Sequence, residues 1–184
     1  MAKPASGSRE TPRAGAGGAG ARGQAGKRGK PVVGVLYGST SDEPVIKECL
    51  QVLERFGVPY EAAVLSAHRM PEKTAAYARG ARKRGLRVIV CGAGMAAHLP
   101  GVVASLTTLP VIGIPLCGSA LEGVDALFSM VQMPAGVPVA TVAVGKAGAK
   151  NAGVLAAQIL ALSDPALARR VEELKSRLEG GEKL

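Results

Sequence analysis

One of the two histidines in this chain lies in a short motif suited to proton transfer. His68 belongs to "SAHR", residues 66–69, which follows an apolar run and precedes Pro71, the start of a predicted helix. The positive end of that helix disfavours imidazolium, so we expect a neutral His68 that can accept or release a proton near pH 7. A packing role also stays open for a single histidine. A metal site is disfavoured, because two histidines without HxH or HExxH spacing offer too few ligands.

Groups that suit an anion lie in the same motif and after the first predicted strand. Arg69 carries a planar fork that matches phosphate or carboxylate. The segment "GSTSD", residues 38–42, turns off a strand into a helix start, where backbone N–H groups favour an anion and the hydroxyls of Ser39 and Ser41 can add donors. Asp42 would repel a phosphate, so ribose hydroxyls are its expected partners. Alternatively, Ser41 is only a helix N-cap, with Asp42 complementing the helix dipole.

A third candidate loop is rich in glycine. The segment "GAGMAAHLPG", residues 92–101, would let the backbone approach a flat ligand closely. It does not match the dinucleotide-binding pattern GxGxxG, because the third glycine is replaced by Ala97. His98 in this loop is compatible either with the site or with helix packing.

The elements that must position these loops follow an alternating pattern. Five short β-branched, nearly continuous apolar runs predict parallel strands covered on both faces, at residues 31–38, 59–66, 86–94, 109–116 and 137–145. Helical stretches are predicted between and after them, at residues 42–56, 71–84, 95–107, 119–131, 148–162 and 164–179. This order predicts a doubly wound α/β domain. Ligands of such sheets bind outside the carboxyl ends of the strands, where "GSTSD", "SAHR", "GAGMAAHLPG" and "CGSALEG" would gather.

Two helix ends and the last helix have specific signals. Gly57 and Gly85 are predicted to end the first two helices. In the last helix, Asp164 is the expected N-cap and Pro165 the first helical residue. Its apolar stripe can pack on its own domain or on another subunit. We therefore divide the chain into a tail (1–30), an α/β domain that holds the candidate site (31–163) and a C-terminal helix (164–184).

Composition limits the class of protein. The net charge is +9, but residues 1–30 carry +6 of it in a Gly- and Ala-rich segment that we expect to be disordered. Specific nucleic-acid binding is therefore not predicted. No apolar run is long enough for a membrane span, and the start lacks the pattern of a secretory signal peptide. The cysteines form no CxxC pair, which indicates free thiols in a reducing cytoplasm, each a small buried hydrophobe: Cys49, Cys91 and Cys117.

Five ordered blocks of the sequence resemble one family. The segments "GSTSD", "SAHRMPEK", "GAGMAAHLPG", "GVDALFSMVQMPAGVPVATVAVG" and "AKNAGVLAAQIL" are similar to the PurE family of de novo purine biosynthesis. The resemblance runs from about residue 32 to 162. It implies a flavodoxin-like three-layer fold, a homo-octamer with sites near subunit boundaries and no metal, biotin or ATP.

The resemblance also assigns roles to residues. His68 corresponds to the catalytic histidine, Ser39 and Asp42 to the residues that hold the ribonucleotide, and Arg69 to the arginine that meets its phosphate. The loop around Gly94 corresponds to the wall that encloses the imidazole ring and the migrating CO2. Ser41, Ser66 and His98 complete the expected substrate-binding set. The implied reaction moves CO2 from the exocyclic nitrogen of N5-carboxyaminoimidazole ribonucleotide to ring carbon four.

One departure and three alternatives accompany this hypothesis. Family members carry "GAGG" where this chain has Met95, which could alter how CO2 is handled. A carboxylase of the same fold that uses free CO2 is the nearest alternative, although "SMVQMPAGVPV" favours the mutase. A non-catalytic receiver module would need a phosphoacceptor aspartate where the third strand ends in "CGAG". Flavin binding is poorly supported, because tryptophan is absent and other aromatic residues are few.

Overall fold

The computed structural model describes residues 29–184, so nearly all of the predicted tail lies outside the described residues. Five parallel strands form one sheet in the order β2-β1-β3-β4-β5: β1 Val33–Tyr37, β2 Tyr60–Val64, β3 Val88–Gly94, β4 Val111–Leu116 and β5 Ala140–Thr141. The helices are α1 Glu43–Arg55, α2 Pro71–Arg84, α3 His98–Leu106, α4 Val124–Val131, α5 Gly145–Ala161 and α6 Pro165–Glu179. A short 3-10 turn, Thr40–Asp42, precedes α1. The predicted flavodoxin-like doubly wound sheet is confirmed.

The helices cover both faces of the sheet, which gives three layers. Helices α1, α5 and α6 contribute to one apolar cluster, and α2, α3 and α4 border the other. Alternate residues of β1 divide between them, with Val33 and Val35 on the first side and Leu36 on the second. This division follows from the two-residue period of a strand. It explains why the strand sequences are apolar throughout rather than alternating.

Glycines permit two features of the helical layers. Gly57 and Gly85, with φ of 66° and 99°, follow α1 and α2 in the left-handed conformation expected at helix C-termini. Gly153 lies where α5 crosses α1, and a Cβ there would come within 2.8 Å of Val52. A side chain at this position would therefore push the two helices apart.

The last helix packs on its own chain. Asp164 caps α6 by accepting hydrogen bonds from the N–H groups of Ala166 and Leu167, as predicted. Leu167 and Leu174 are buried in the cluster formed with α1 and α5. The apolar stripe of the last helix thus packs on its own domain, one of the two partners left open by the sequence.

Three elements depart most from their predicted bounds. The fifth strand pairs only over Ala140–Thr141, because it lies at the sheet edge and Pro138 has no N–H to donate. Helix α3 begins at His98 rather than residue 95, since Ala97 has a φ of 44°. Helix α4 begins at Val124 rather than residue 119, after two residues with positive φ.

The cysteine prediction is partly wrong. Cys49 and Cys91 are buried, and burial raises the pKa of both thiols, to about 12 for Cys49. These two thiols therefore stay protonated at neutral pH and act as small hydrophobes. Cys117 is exposed, because it lies in the loop beyond the carboxyl end of β4, where its thiol donates to the backbone oxygen of Glu122 at 3.3 Å.

Candidate active site

The eight predicted site residues lie together around one cavity of about 530 Å³ at the carboxyl edge of the sheet. The strand order reverses between β2-β1 and β3-β4-β5, and the cavity is located at this switch point, as expected for doubly wound sheets. Its lining comprises Gly38, Ser39, Ser41, Asp42, Ser66, Ala67, His68, Arg69, Ala93, Gly94, Met95, Ala96, Ala97, His98, Leu99 and Gly118. Depressions along α6 contain none of the predicted residues.

Strand register explains why three loops meet there. Tyr37 at the end of β1 pairs with Val64 of β2 on one side and with Gly92 of β3 on the other. The three strands therefore end at similar heights, and the loops that follow them are neighbours. The fourth predicted loop contributes to the lining only through Gly118.

The first loop is a capping box. Asp42 accepts a hydrogen bond from the backbone N–H of Ser39 at 3.0 Å, while the Ser39 hydroxyl oxygen accepts from the N–H of Ser41 at 3.3 Å. The alternative in which Ser41 is the N-cap is wrong, because Ser39 occupies that position. The Ser41 hydroxyl donates to Ser39 Oγ at 2.9 Å, so the O–H of Ser39 can donate to a bound anion.

Partial burial disfavours the charged form of Asp42. Desolvation raises the pKa of Asp42, and this outweighs its hydrogen bond from the Ser39 backbone and the nearby positive charge of Arg69. The carboxylate is therefore less favourable in the folded protein than in water. A ligand that donates hydrogen bonds to Asp42 would offset part of this desolvation.

Arg69 joins the first two loops. Its Nη2 donates to the backbone oxygen of Gly38 at 2.7 Å, and its Nε donates to Ser66 Oγ at 3.3 Å. Ser66 is buried and also accepts the backbone N–H of Arg69 at 3.3 Å. These bonds fix the direction of the guanidinium before any ligand arrives, so Ser66 contributes through the position of Arg69.

The two histidines form a pair. His68 Nε2 lies 2.6 Å from His98 Nδ1, with the ring planes at 77°. A hydrogen bond at this distance requires one nitrogen to donate and the other to accept, so the two rings share a proton at the point of contact. Both side chains are exposed. The His98 ring contacts the other histidine and is exposed, which favours the site over helix packing for this residue.

The sequence did not reveal this contact or the bond from Arg69 to Gly38. Both connect loops that are about 30 residues apart in the chain, and both depend on which strands are neighbours in the sheet. A strand order inferred from the doubly wound pattern would have been the useful signal, since it places the loops after β2 and β3 on either side of β1.

The glycine-rich loop forms the remaining wall. It is closed by a hydrogen bond from the N–H of Ala97 to the oxygen of Gly94, at 3.0 Å. A Cβ on Gly94 would lie 3.1 Å from the backbone oxygen of Leu116, so only glycine fits there without displacement of β4. Met95 and Ala97 both have positive φ, at 56° and 44°. Two residues with side chains are thus held in a conformation that favours glycine.

The described residues include no arrangement suited to a metal or a membrane. Within residues 29–184, no three His, Cys, Asp or Glu side chains converge as a metal site would need. Across the same range, no helix combines the length and apolar character needed to cross a bilayer.

Comparison with known proteins identifies the family. The chain is 56% identical over 149 residues to the N5-carboxyaminoimidazole ribonucleotide mutase of Thermotoga maritima, covering 81% of this chain and 86% of that one. It is 53% identical over 149 residues to the phosphoribosylaminoimidazole carboxylase of Schizosaccharomyces pombe, of which it spans 27%. The crystal structure of Treponema denticola PurE superposes with a TM-score of 0.72 and 28% identity, covering 82% of this chain and 93% of that chain.

A family model described as AIR carboxylase matches residues 32–180. The match includes all of α6, which the motif-based resemblance, ending near residue 162, left outside. The motifs, the fold and the match agree, and the chain belongs to the AIR carboxylase family.

Proposed function

We propose that this protein is an N5-carboxyaminoimidazole ribonucleotide mutase of purine biosynthesis. It moves CO2 from the exocyclic nitrogen of its substrate to ring carbon four, giving 4-carboxy-5-aminoimidazole ribonucleotide. The observation that carries the proposal is the 2.6 Å contact between His68 and His98 in the cavity that also holds Arg69. The name of the Thermotoga maritima relative supports the same reaction.

The binding groups suit a ribonucleotide monophosphate. Arg69 is oriented by two hydrogen bonds, and its remaining N–H groups can meet phosphate oxygens. The Ser39 hydroxyl adds a donor beside it, and the Ser41 hydroxyl, which donates to Ser39 Oγ, orients that donor. The Asp42 carboxylate can accept hydrogen bonds from the ribose hydroxyls. These bonds replace part of the hydrogen bonding to water that the carboxylate loses on burial. The phosphate and ribose thus hold the imidazole ring towards the histidine pair.

The reaction needs one proton to be delivered and then recovered. In the first half, the bond between the exocyclic nitrogen and the carboxylate carbon breaks, His68 delivers a proton to that nitrogen, and CO2 is released in the site. In the second half, ring carbon four attacks CO2, and the proton lost from that carbon returns to His68. No net proton is consumed, so one histidine serves both halves. Acid–base catalysis of this kind contributes a factor of about 10²–10⁴.

His98 acts on this proton through His68. While His68 carries the extra proton, its Nε2 donates to His98 Nδ1, which must then be neutral. Two cationic rings at this distance would place two N–H groups against each other. The pair can therefore carry one extra proton but not two, and while His68 holds it, the N–H that His68 can give to the substrate is the one on Nδ1, because Nε2–H donates to His98. The proposed chemistry requires no metal and no organic cofactor.

A carboxylase that adds free CO2 to aminoimidazole ribonucleotide is the second candidate. It would use the same nucleotide contacts and only the second half of the reaction. The name of the Schizosaccharomyces pombe relative supports it. The two candidates differ in whether the substrate brings its own CO2.

The proposal includes a homo-octamer in the cytoplasm, with no specific nucleic-acid partner. Helix α4 supports self-association, because Val124, Phe128 and Val131 recur at helical spacing and are 49%, 60% and 50% exposed. An apolar face of this kind is commonly covered by another protein surface. The free buried thiols of Cys49 and Cys91 suit a reducing compartment.

The proposed chemistry is tested with His68→Asn. We expect the wild type to convert N5-carboxyaminoimidazole ribonucleotide and the variant to lose turnover by about 10²–10⁴-fold. Calorimetry should show that the variant still binds 4-carboxy-5-aminoimidazole ribonucleotide, because the phosphate contacts are intact. Glu72→Gln, at the start of α2 and outside the cavity lining, is the matched control. Near-normal turnover by His68→Asn would remove this histidine from the reaction.

A further inference from the structure

Met95 is a large apolar side chain exposed at a polar site. It lines the cavity together with both histidines, and 61% of its surface is exposed. The other large apolar residue in the lining, Leu99, is buried. Of the cavity residues, Met95 is therefore the one with a long apolar side chain that is free to move over a ligand. Methionine is suited to this, because its unbranched thioether adapts to irregular surfaces.

The backbone at Met95 is held in an unfavourable conformation. Its φ of 56° is disfavoured for a residue with a Cβ, and glycine would adopt it freely. The hydrogen bond from the N–H of Ala97 to the oxygen of Gly94 keeps the turn closed. The backbone at Met95 therefore cannot leave this conformation without breaking that bond. Strained residues at a binding site are a reason to look for a role.

We infer that Met95 covers the bound imidazole ring and keeps the released CO2 from escaping between the two halves of the reaction. This inference depends on the proposed mutase activity and specifies how that activity retains its intermediate. CO2 is apolar, whereas Ala96 and Ala97, which follow Met95 in the lining, are small, and the histidines that line the same cavity, His68 and His98, are polar. The thioether supplies apolar surface and excludes the water that would hydrate CO2 to bicarbonate.

The inference predicts a measurable ratio between two fates of the released CO2. After the nitrogen–carbon bond breaks, CO2 either adds to ring carbon four or leaves and becomes bicarbonate, with aminoimidazole ribonucleotide as the other product. Without the Met95 side chain, the fraction of CO2 that escapes should rise on the order of tenfold. This factor corresponds to the free energy lost when an apolar group no longer packs against one apolar side chain. The contacts to phosphate and ribose should be unaffected.

The experiment follows a label from substrate to product. Substrate carrying ¹³C in its N-carboxylate is mixed with enzyme in unlabelled bicarbonate, with carbonic anhydrase added to equilibrate any escaped CO2. Mass spectrometry then measures the ¹³C retained in 4-carboxy-5-aminoimidazole ribonucleotide. The variants are Met95→Gly, Met95→Gln with similar length but a polar end, and Met95→Leu as the apolar control.

We expect nearly full retention in the wild type and Met95→Leu, and increased escape in Met95→Gly and Met95→Gln. Met95→Gly should also unfold at a temperature no lower than the wild type, because glycine removes the backbone strain. If Met95→Gly retains as much ¹³C as the wild type, the inference is wrong but the proposed function stands. Increased escape together with a smaller particle in light scattering also overturns it, because the effect then arises from assembly. Failure of the wild type to convert the labelled substrate overturns the proposed function and the inference with it.

Discussion

Replacing His98 by Asn tests whether the two histidines act as one unit. The change removes the ring whose Nδ1 lies 2.6 Å from His68 Nε2 and leaves the hydrogen bond from Arg69 to Gly38 untouched. Hydrogen bonds to charged groups contribute about 1.5–3 kcal/mol. Because both rings are exposed, we take the lower value, which corresponds to a loss of about tenfold in kcat.

The double variant His68→Asn/His98→Asn separates a shared role from two independent ones. If His98 acts through His68, the double variant should be no slower than His68→Asn alone, since residues of one unit give non-additive effects. The assay is steady-state kinetics on N5-carboxyaminoimidazole ribonucleotide for the wild type, both single variants and the double variant. A further tenfold loss in the double variant, or normal kcat in His98→Asn, would refute the coupled pair.

Three further predictions concern binding, pH dependence and assembly. Arg69→Lys keeps the charge but loses the fork that bonds Gly38 and Ser66, so KM should rise about 10–100-fold with kcat nearly constant in steady-state assays; an unchanged KM contradicts this role. Since burial raises the pKa of Asp42 above its ordinary 3.8, the folded state favours the protonated form. The unfolding free energy of the wild type should therefore fall relative to that of Asp42→Asn as pH rises through the raised pKa. Urea titrations at several pH values measure both; a difference between the two proteins that stays constant with pH would contradict this prediction. Phe128→Asp should reduce the particle mass in light scattering, whereas Lys47→Asp on the exposed side of α1 should not; equal masses for wild type and Phe128→Asp exclude this face as an interface.

Sequence patterns predicted the central strands well because burial determines their composition. Strands β1, β3 and β4 have neighbours on both sides and helices on both faces, so their apolar runs are long and clear. The fifth run was predicted over 137–145 but pairs over two residues. The two paired residues contact β4 and α4, but no residue of 137–145 is fully buried, and apolar composition alone cannot distinguish a paired edge strand from an extended loop.

The site residues could be found from their loops, but their contacts could not. "GSTSD", "SAHR" and "GAGMAAHLPG" each have polar or glycine residues at strand ends, which is a local signal. The contact of His68 with His98 and that of Arg69 with Gly38 depend on tertiary register. The start of α3 was misplaced for a related reason, because the left-handed conformation of Met95 and Ala97 is imposed by the surrounding loop and contradicts the preferences of these residues.

The most direct measurement supplies the two candidate substrates separately. Purified protein is given N5-carboxyaminoimidazole ribonucleotide without added bicarbonate, and in parallel aminoimidazole ribonucleotide with bicarbonate. We predict efficient formation of 4-carboxy-5-aminoimidazole ribonucleotide from the first, and turnover of the second only at high bicarbonate. Efficient turnover of aminoimidazole ribonucleotide with bicarbonate, and none of the N-carboxylated substrate, would contradict the mutase function and establish the carboxylase instead.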